Sequence, residues 1–146
     1  LGDWIAAESE LRRLIEKDPN HTMALIHQGT CLIAMNRAEQ AERPLNEAIR
    51  INPQHSDAWY QRGLLYLEFG RIDAARADFD AAAKYDPRHL DARLRSAAIL
   101  HEEGDAEAAT AWREVLDVDP EHRLARRRLQ ECADKTKTGV TFLPKD

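Results

Sequence analysis

Val occurs three times in 146 residues and aromatic residues make up 6%, too few of the side chains that suit a pleated surface for a β-rich fold. Apolar runs stop after a few residues, which excludes a membrane-spanning segment and any expectation of membrane insertion. Two Cys cannot frame a disulfide scaffold, and a chain of this length buries enough surface to fold without disulfide or metal staples. An excess of positive charge is also missing. Against 21 Lys and Arg stand 26 Asp and Glu, giving a net charge of −5, whereas binding to phosphate backbones needs a basic surface. No nucleic-acid partner is expected. What is abundant is Ala, with 23 residues, and this favours helices. Charge is uneven: residues 121–146 hold seven Lys or Arg and four Asp or Glu, so an acidic body ends in a basic segment.

The chain is periodic. Pro19, Pro53, Pro87 and Pro120 lie 34, 34 and 33 residues apart, each preceded by Asp or Asn. In step with them run Gly2, Asn36, Gly70 and Gly104, the residue types that close a helix in left-handed conformation. Each period therefore holds two helices, one ending at Gly or Asn and the other at Asp-Pro, where the ring blocks continuation. Helical apolar spacing fills the intervals: Leu25, Gly29, Leu32 and Met35, then Ala41, Leu45, Ala48 and Ile49. The same offsets return as Trp59, Gly63 and Tyr66, then Ala75, Phe79 and Ala82. Small residues at Gly29, Gly63 and Ala97 let paired helices approach, and Leu45, Phe79 and Trp112 fill the layer between them.

The run W-x2-R-G-x2-Y at residues 59–66, followed by A-x3-F at 75–79 and by Pro87, resembles the tetratricopeptide repeat, with Arg62 where that motif has Leu. The resemblance implies an all-α fold, a right-handed superhelical solenoid of antiparallel helix pairs. Its registers place the second helix of a truncated repeat at 2–18, full repeats at 22–55, 56–89 and 90–122, a capping helix at 123–135 and an extended tail at 136–146. Gln28, Arg62 and Ser96 depart from the motif's Leu, Arg93 stands at Trp59's position, and the turn after Gly104 is one residue short. Pro44 falls inside a helix and is expected to kink or loosen it. On the cap, Leu124, Leu129 and Ala133 are expected inside, with Arg126, Arg127 and Arg128 in solvent.

No chemistry of catalysis is legible. His21, His55, His89 and His122 recur two residues after each Pro, but successive repeats stack roughly 10 Å apart, too far for one metal, so these read as residues preceding helix starts. Cys31 and Cys132 read as buried thiols, and no phosphate loop or nucleophile motif occurs. The expectation is a non-enzyme with no cofactor and no metal.

Binding remains. The resemblance implies a concave groove lined by the first helix of each repeat, and the inward stripe at i, i+3, i+7, i+10 gives Met23, Ile26, Thr30 and Ile33. The next repeats give Asp57, Tyr60, Leu64 and Leu67, then Asp91, Leu94, Ala98 and His101, with Glu68 and Glu102 on the flanks. Family members that grip a chaperone's C-terminal carboxylate use a Lys and an Asn here; Ile26, Tyr60 and Leu94 stand at the cation position, and Thr30, Leu64 and Ala98 at the amide position. The stripe thus reads as an apolar floor with an acidic rim, suited to a protein or peptide segment that is apolar with basic flanks. The tail, with Lys135, Lys137, Val140, Phe142, Leu143 and Lys145, has that character itself. A homo-oligomer formed through the tail or through the uncovered face Trp4, Ala7, Leu11 and Leu14 is the alternative reading, and a regulatory region of a larger enzyme is a third. The start at Leu1-Gly2 suggests a piece of a longer chain, the default compartment is the cytoplasm, and Arg over Lys at 16 to 5 suggests a GC-rich bacterial genome.

Overall fold

The computed structural model describes residues 2–137, with side chains from 3 to 136. Among them are eight helices and no strand: α1 (Gly2–Lys17), α2 (Thr22–Ala34), α3 (Ala38–Ile51), α4 (Ser56–Glu68), α5 (Ile72–Tyr85), α6 (Leu90–Glu103), α7 (Ala108–Val118) and α8 (Arg123–Lys137). The chain divides into two compact units, the boundary falling between Asp86 and Pro87.

Punctuation of the helices follows from side-chain chemistry. Asn36, Gly70 and Gly104 have φ of 58°, 67° and 71°, the left-handed closure their residue types permit. At the other boundary, Asp18, Asn52 and Asp119 accept from the backbone N–H two residues on (Asn20, Gln54 and Glu121) at 3.1–3.2 Å. These are Asx turns, which explains why Asp or Asn precedes each Pro. The recurring His residues cap the next helices. Nδ1 of His21, His89 and His122 accepts from the N–H of Ala24, Ala92 and Ala125 at 3.2–3.3 Å, satisfying one of the orphan donors of a helix start.

Paired helices meet through the expected small-to-large contacts. A Cβ placed on Gly29 would lie 2.6 Å from Leu45 Cγ, and one on Gly63 would lie 2.7 Å from Phe79 Cε1, so nothing larger than hydrogen fits. Leu45, Phe79 and Trp112 are fully buried, and hiding a side chain such as Leu45 or Phe79 contributes about 1.5–3 kcal/mol. In the first unit Leu32, Ala41, Leu45 and Leu65 form one cluster and Leu25, Ile26, Ala48, Ile49 and Ala58 another. In the second, Ala97, Leu100, Ala108, Trp112, Val115, Ala125 and Cys132 form the core. Cys31 and Cys132 are free and buried, and burial pushes both thiols up in pKa.

Pro44 lies inside α3, which runs on to Ile51, and its buried ring offers no N–H to the carbonyl of Gln40. Other local details differ from expectation. The missing residue after Gly104 costs α7 its first turn: Asp105 Oδ1 accepts from Glu107 N–H at 2.8 Å, and the helix begins only at Ala108. On α8 the inner face is Ala125, Leu129 and Cys132: Leu129 lies inside as expected, while Leu124 is 46% exposed and Ala133 is also exposed. Arg128 is not solvated with its neighbours; it is half-buried and bonds Glu131 Oε2 at 2.9 Å. Residues 136 and 137 continue α8, and the rest of the expected tail, 138–146, lies outside the described residues.

Candidate functional site

On α2 the stripe begins at Met23, 38% exposed, with its sulfur 3.0 Å from Nε2 of His55 at the start of α4. Thr30, half-buried, turns its hydroxyl back to the Ile26 carbonyl at 3.0 Å. Ile33 is half-buried against the Leu32–Leu45 cluster. Ile26 is different. At 3% exposure it belongs to the core with Ala48 and Ile49 of α3 and Ala58 of α4, because α2 is flanked by helices on two sides at this level.

α4 packs beside α2 and carries the fuller stripe. Asp57 is exposed and Glu68 is exposed, bracketing Tyr60, Leu64 and Leu67, which are all half-buried. Tyr60 rests its ring on Phe79, centroids 5.7 Å apart and inclined by 50°, so part of it supports the core and part faces outward. In the second unit Asp91 and Glu102 are exposed, while Leu94 and Ala98 are half-buried against that unit's core.

His101 is not a groove residue. It is 9% exposed, and Nδ1 accepts from the Trp112 indole N–H at 3.3 Å and lies 3.6 Å from Cys132 Sγ. Its Nε2 lies 3.4 Å from Glu131 Oε2 and 3.3 Å from Arg128. Burial first, and then the positive charge of Arg128, hold its pKa below the usual imidazole value. Its role is to satisfy a buried indole. The sequence carried a signal for this: Trp112 occupies the fully buried position of Leu45 and Phe79, and an indole N–H there needs an acceptor from the facing helix.

Two arrangements on the opposite side of the stripe were not anticipated. Arg62, standing where the motif has Leu, makes a two-pronged ion pair with Asp78 at 2.7 and 2.8 Å, bonds Asn46 at 2.8 Å, and stacks over Trp59 and Tyr66. It thus ties α4 to both α3 and α5. One period earlier the same position is Gln28, too short to do this, and an open groove of about 1160 Å³ lies there, lined by Glu8, Arg12, Gln28, Pro44, Glu47 and Arg50 among others. Glu8 is buried in its wall, held below the usual carboxylate range chiefly by its bonds from Arg12 at 2.8 and 3.0 Å. Arg93 also proves regular. Trp59 donates its indole N–H to the Pro53 carbonyl at 2.8 Å, and Arg93, at the same register, donates Nε to the Pro87 carbonyl at 2.9 Å.

Among the described residues no three His, Cys, Asp or Glu side chains are grouped to hold a metal ion, and no helix is long and apolar enough to cross a membrane.

Two tetratricopeptide repeat family models match the chain, one over residues 1–56 and another over 45–77. A comparison with curated proteins found no match. Among solved structures, MamA is similar at a TM-score of 0.80 and 17% identity, over 93% of this chain and 80% of that one. YrrB, described as a tetratricopeptide repeat protein with an unusual peptide-binding site, is similar at 0.71 and 22%, over 88% and 67%. The first repeat domain of Spaghetti, bound to an HSP90 peptide, is similar at 0.66 and 16%, over 80% and 95%. With its 34-residue period, its glycine-to-large contacts and two family models that together span residues 1–77, the chain belongs to the tetratricopeptide repeat family.

Proposed function

We propose that this chain is a non-catalytic protein-interaction scaffold whose first helices capture an apolar segment with basic flanks. The observation that carries the reading is the surface left on α2 and α4 after their cores are built. Met23, Ile33, Tyr60, Leu64 and Leu67 still present apolar surface, bracketed by Asp57 and Glu68. The second unit offers a smaller version in Leu94 and Ala98 beside Asp91. Apolar side chains of the partner would bury against this floor, and the acidic rim would favour basic flanks and repel acidic ones. A segment like the HSP90 peptide SRMEEVD bound by Spaghetti is a poor match, because no Lys or Arg lies on the stripe of this chain to receive its carboxylates.

Selection from a displayed peptide library against the full chain tests this. Enriched sequences should carry two or three apolar residues with Lys or Arg beside them. Enrichment of acidic C-terminal sequences would overturn the charge reading.

A further inference from the structure

Where α8 meets the pair α6/α7, one imidazole touches all three helices. The Trp112 indole, on a side chain 1% exposed, donates its N–H to His101 Nδ1 at 3.3 Å, so the single proton of the neutral ring sits on Nε2 and faces Glu131 Oε2 at 3.4 Å. Around the ring α8 places Arg128, Glu131, Cys132 and the charge of Lys135; α7 places Trp112; α6 itself adds Glu102. Glu131 could balance a charged imidazole, but it is already engaged by Arg127 at 3.0 Å and Arg128 at 2.9 Å.

A second proton on this ring has no place in the closed arrangement. It would sit on Nδ1 against the Trp112 N–H, leaving two donors face to face and the buried indole without an acceptor. It would also add a positive charge 3.3 Å from Arg128. The conflict falls on α8 rather than on the pair. α6 and α7 are joined through Ala97, Leu100, Ala108, Trp112 and Val115 and by the Arg93–Glu114 ion pair at 2.8 Å, contacts that do not need α8. What α8 buries is Ala125, Leu129 and Cys132, with Leu124 46% exposed and Arg126 and Arg127 in solvent. Removal of α8 gives the ring room to turn away from Trp112 and brings water to both.

We infer that His101 is a proton-operated latch for α8: protonation of the ring releases this helix from α6 and α7 while the rest of the chain stays folded. Acid thereby uncovers the face of α6 and α7 on which Ala125, Leu129 and Cys132 had rested, and frees a helix rich in Arg. The release is local and precedes unfolding of the unit. Because a released imidazole titrates near 6.5, moving from pH 7.5 to 5.0 favours the open state by up to about thirtyfold.

The two cysteines report the opening, Cys132 on the inner face of α8 and Cys31 buried in the first unit. The full chain is labelled with 4,4′-dithiodipyridine, which reacts in mild acid, between pH 7.5 and 5.0, and each site is followed by mass spectrometry of its peptide. The ratio of the Cys132 rate to the Cys31 rate, in which the common pH dependence of thiol chemistry cancels, should rise at least tenfold in the parent chain. It should stay within twofold in His101→Gln, which still accepts from Trp112 but takes up no proton. Arg128→Gln, a change at a half-buried side chain, should cut the rise to a third or less, and it keeps the test valid if His101→Gln does not fold. Hydrogen exchange locates the opening: over the same pH interval the amides of 126–137 should lose protection and those of 108–118 should keep it. A ratio that does not rise, a rise undiminished in a folded variant, or equal loss of protection in α7 and α8 overturns the inference.

Discussion

The pairs α4/α5 and α6/α7 solve the same packing problem with different chemistry. In the first, Gly63 opens space for Phe79, and the polar content is a largely buried ion pair between the helices, where Arg62 reaches Asp78. In the second, Ala97 faces the layer, the large residue is Trp112, and the polar content lies in the core, where His101 accepts the indole N–H. The register of the repeat dictates where small and large residues must stand. It leaves open which polar groups are buried, provided each finds a partner.

Removing the large residue from either pair should have the greatest effect. Phe79→Ala and Trp112→Ala should each cost about 3–5 kcal/mol in urea unfolding, with faster amide exchange concentrated in the unit that holds the change. If one variant loosened both units equally, the division at Asp86 would have no energetic meaning.

Next comes the ion pair peculiar to α4/α5. Asp78→Ala strips the carboxylate from a guanidinium whose side chain is only 18% exposed and should cost about 3 kcal/mol. The change Arg62→Leu made together with Asp78→Ala should recover part of that loss, because neither charge is then left buried. Recovery measured by thermal unfolding separates a buried unpaired charge from simple lost packing.

A smaller effect, confined to acid, belongs to α6/α7. The folded state holds the His101 pKa below its unfolded value, so at neutral pH both states carry the neutral ring. As pH falls below about 6.5, the unfolded chain gains the proton first and stability is lost until the folded pKa is passed. Unfolding midpoints of the full chain should therefore fall between pH 7 and 5. His101→Gln, which keeps an acceptor for Trp112 but cannot titrate, should flatten that part of the profile. An equal slope in both would place the acid sensitivity elsewhere.

The architecture was legible because its signals are backbone requirements repeated at fixed spacing. Asn36, Gly70 and Gly104 at positive φ, and Gly29 and Gly63 against large residues, admit few substitutes. The candidate site was less legible, since a stripe read from one helix ignores what its neighbours do. Ile26 obeys the same spacing as Tyr60 and Leu94, yet Ile49 and Ala58 close over it. His101 fell on the stripe, and only the need of Trp112 for an acceptor explains why it is buried. Leu124 and Ala133 missed by one position because α8 places Ala125, Leu129 and Cys132 inward. Arg93 shows the opposite error: it departs from the motif in residue type and keeps the hydrogen bond of Trp59 to a proline carbonyl. Its exchange in Arg93→Ala should be the mildest of these changes, about 1 kcal/mol, and Arg93→Trp should restore most of it in thermal unfolding.

The most direct test of the scaffold reading compares two quantities in one variant, Leu64→Glu. The account predicts that its melting temperature stays within about 3 °C of the parent, on the order of 1 kcal/mol for a chain this size. Its affinity for a library-selected apolar, basic-flanked peptide should fall at least tenfold. Loss of stability and affinity together, or retention of affinity, would show that Leu64 is core and that the stripe on α2 and α4 is not where a partner binds.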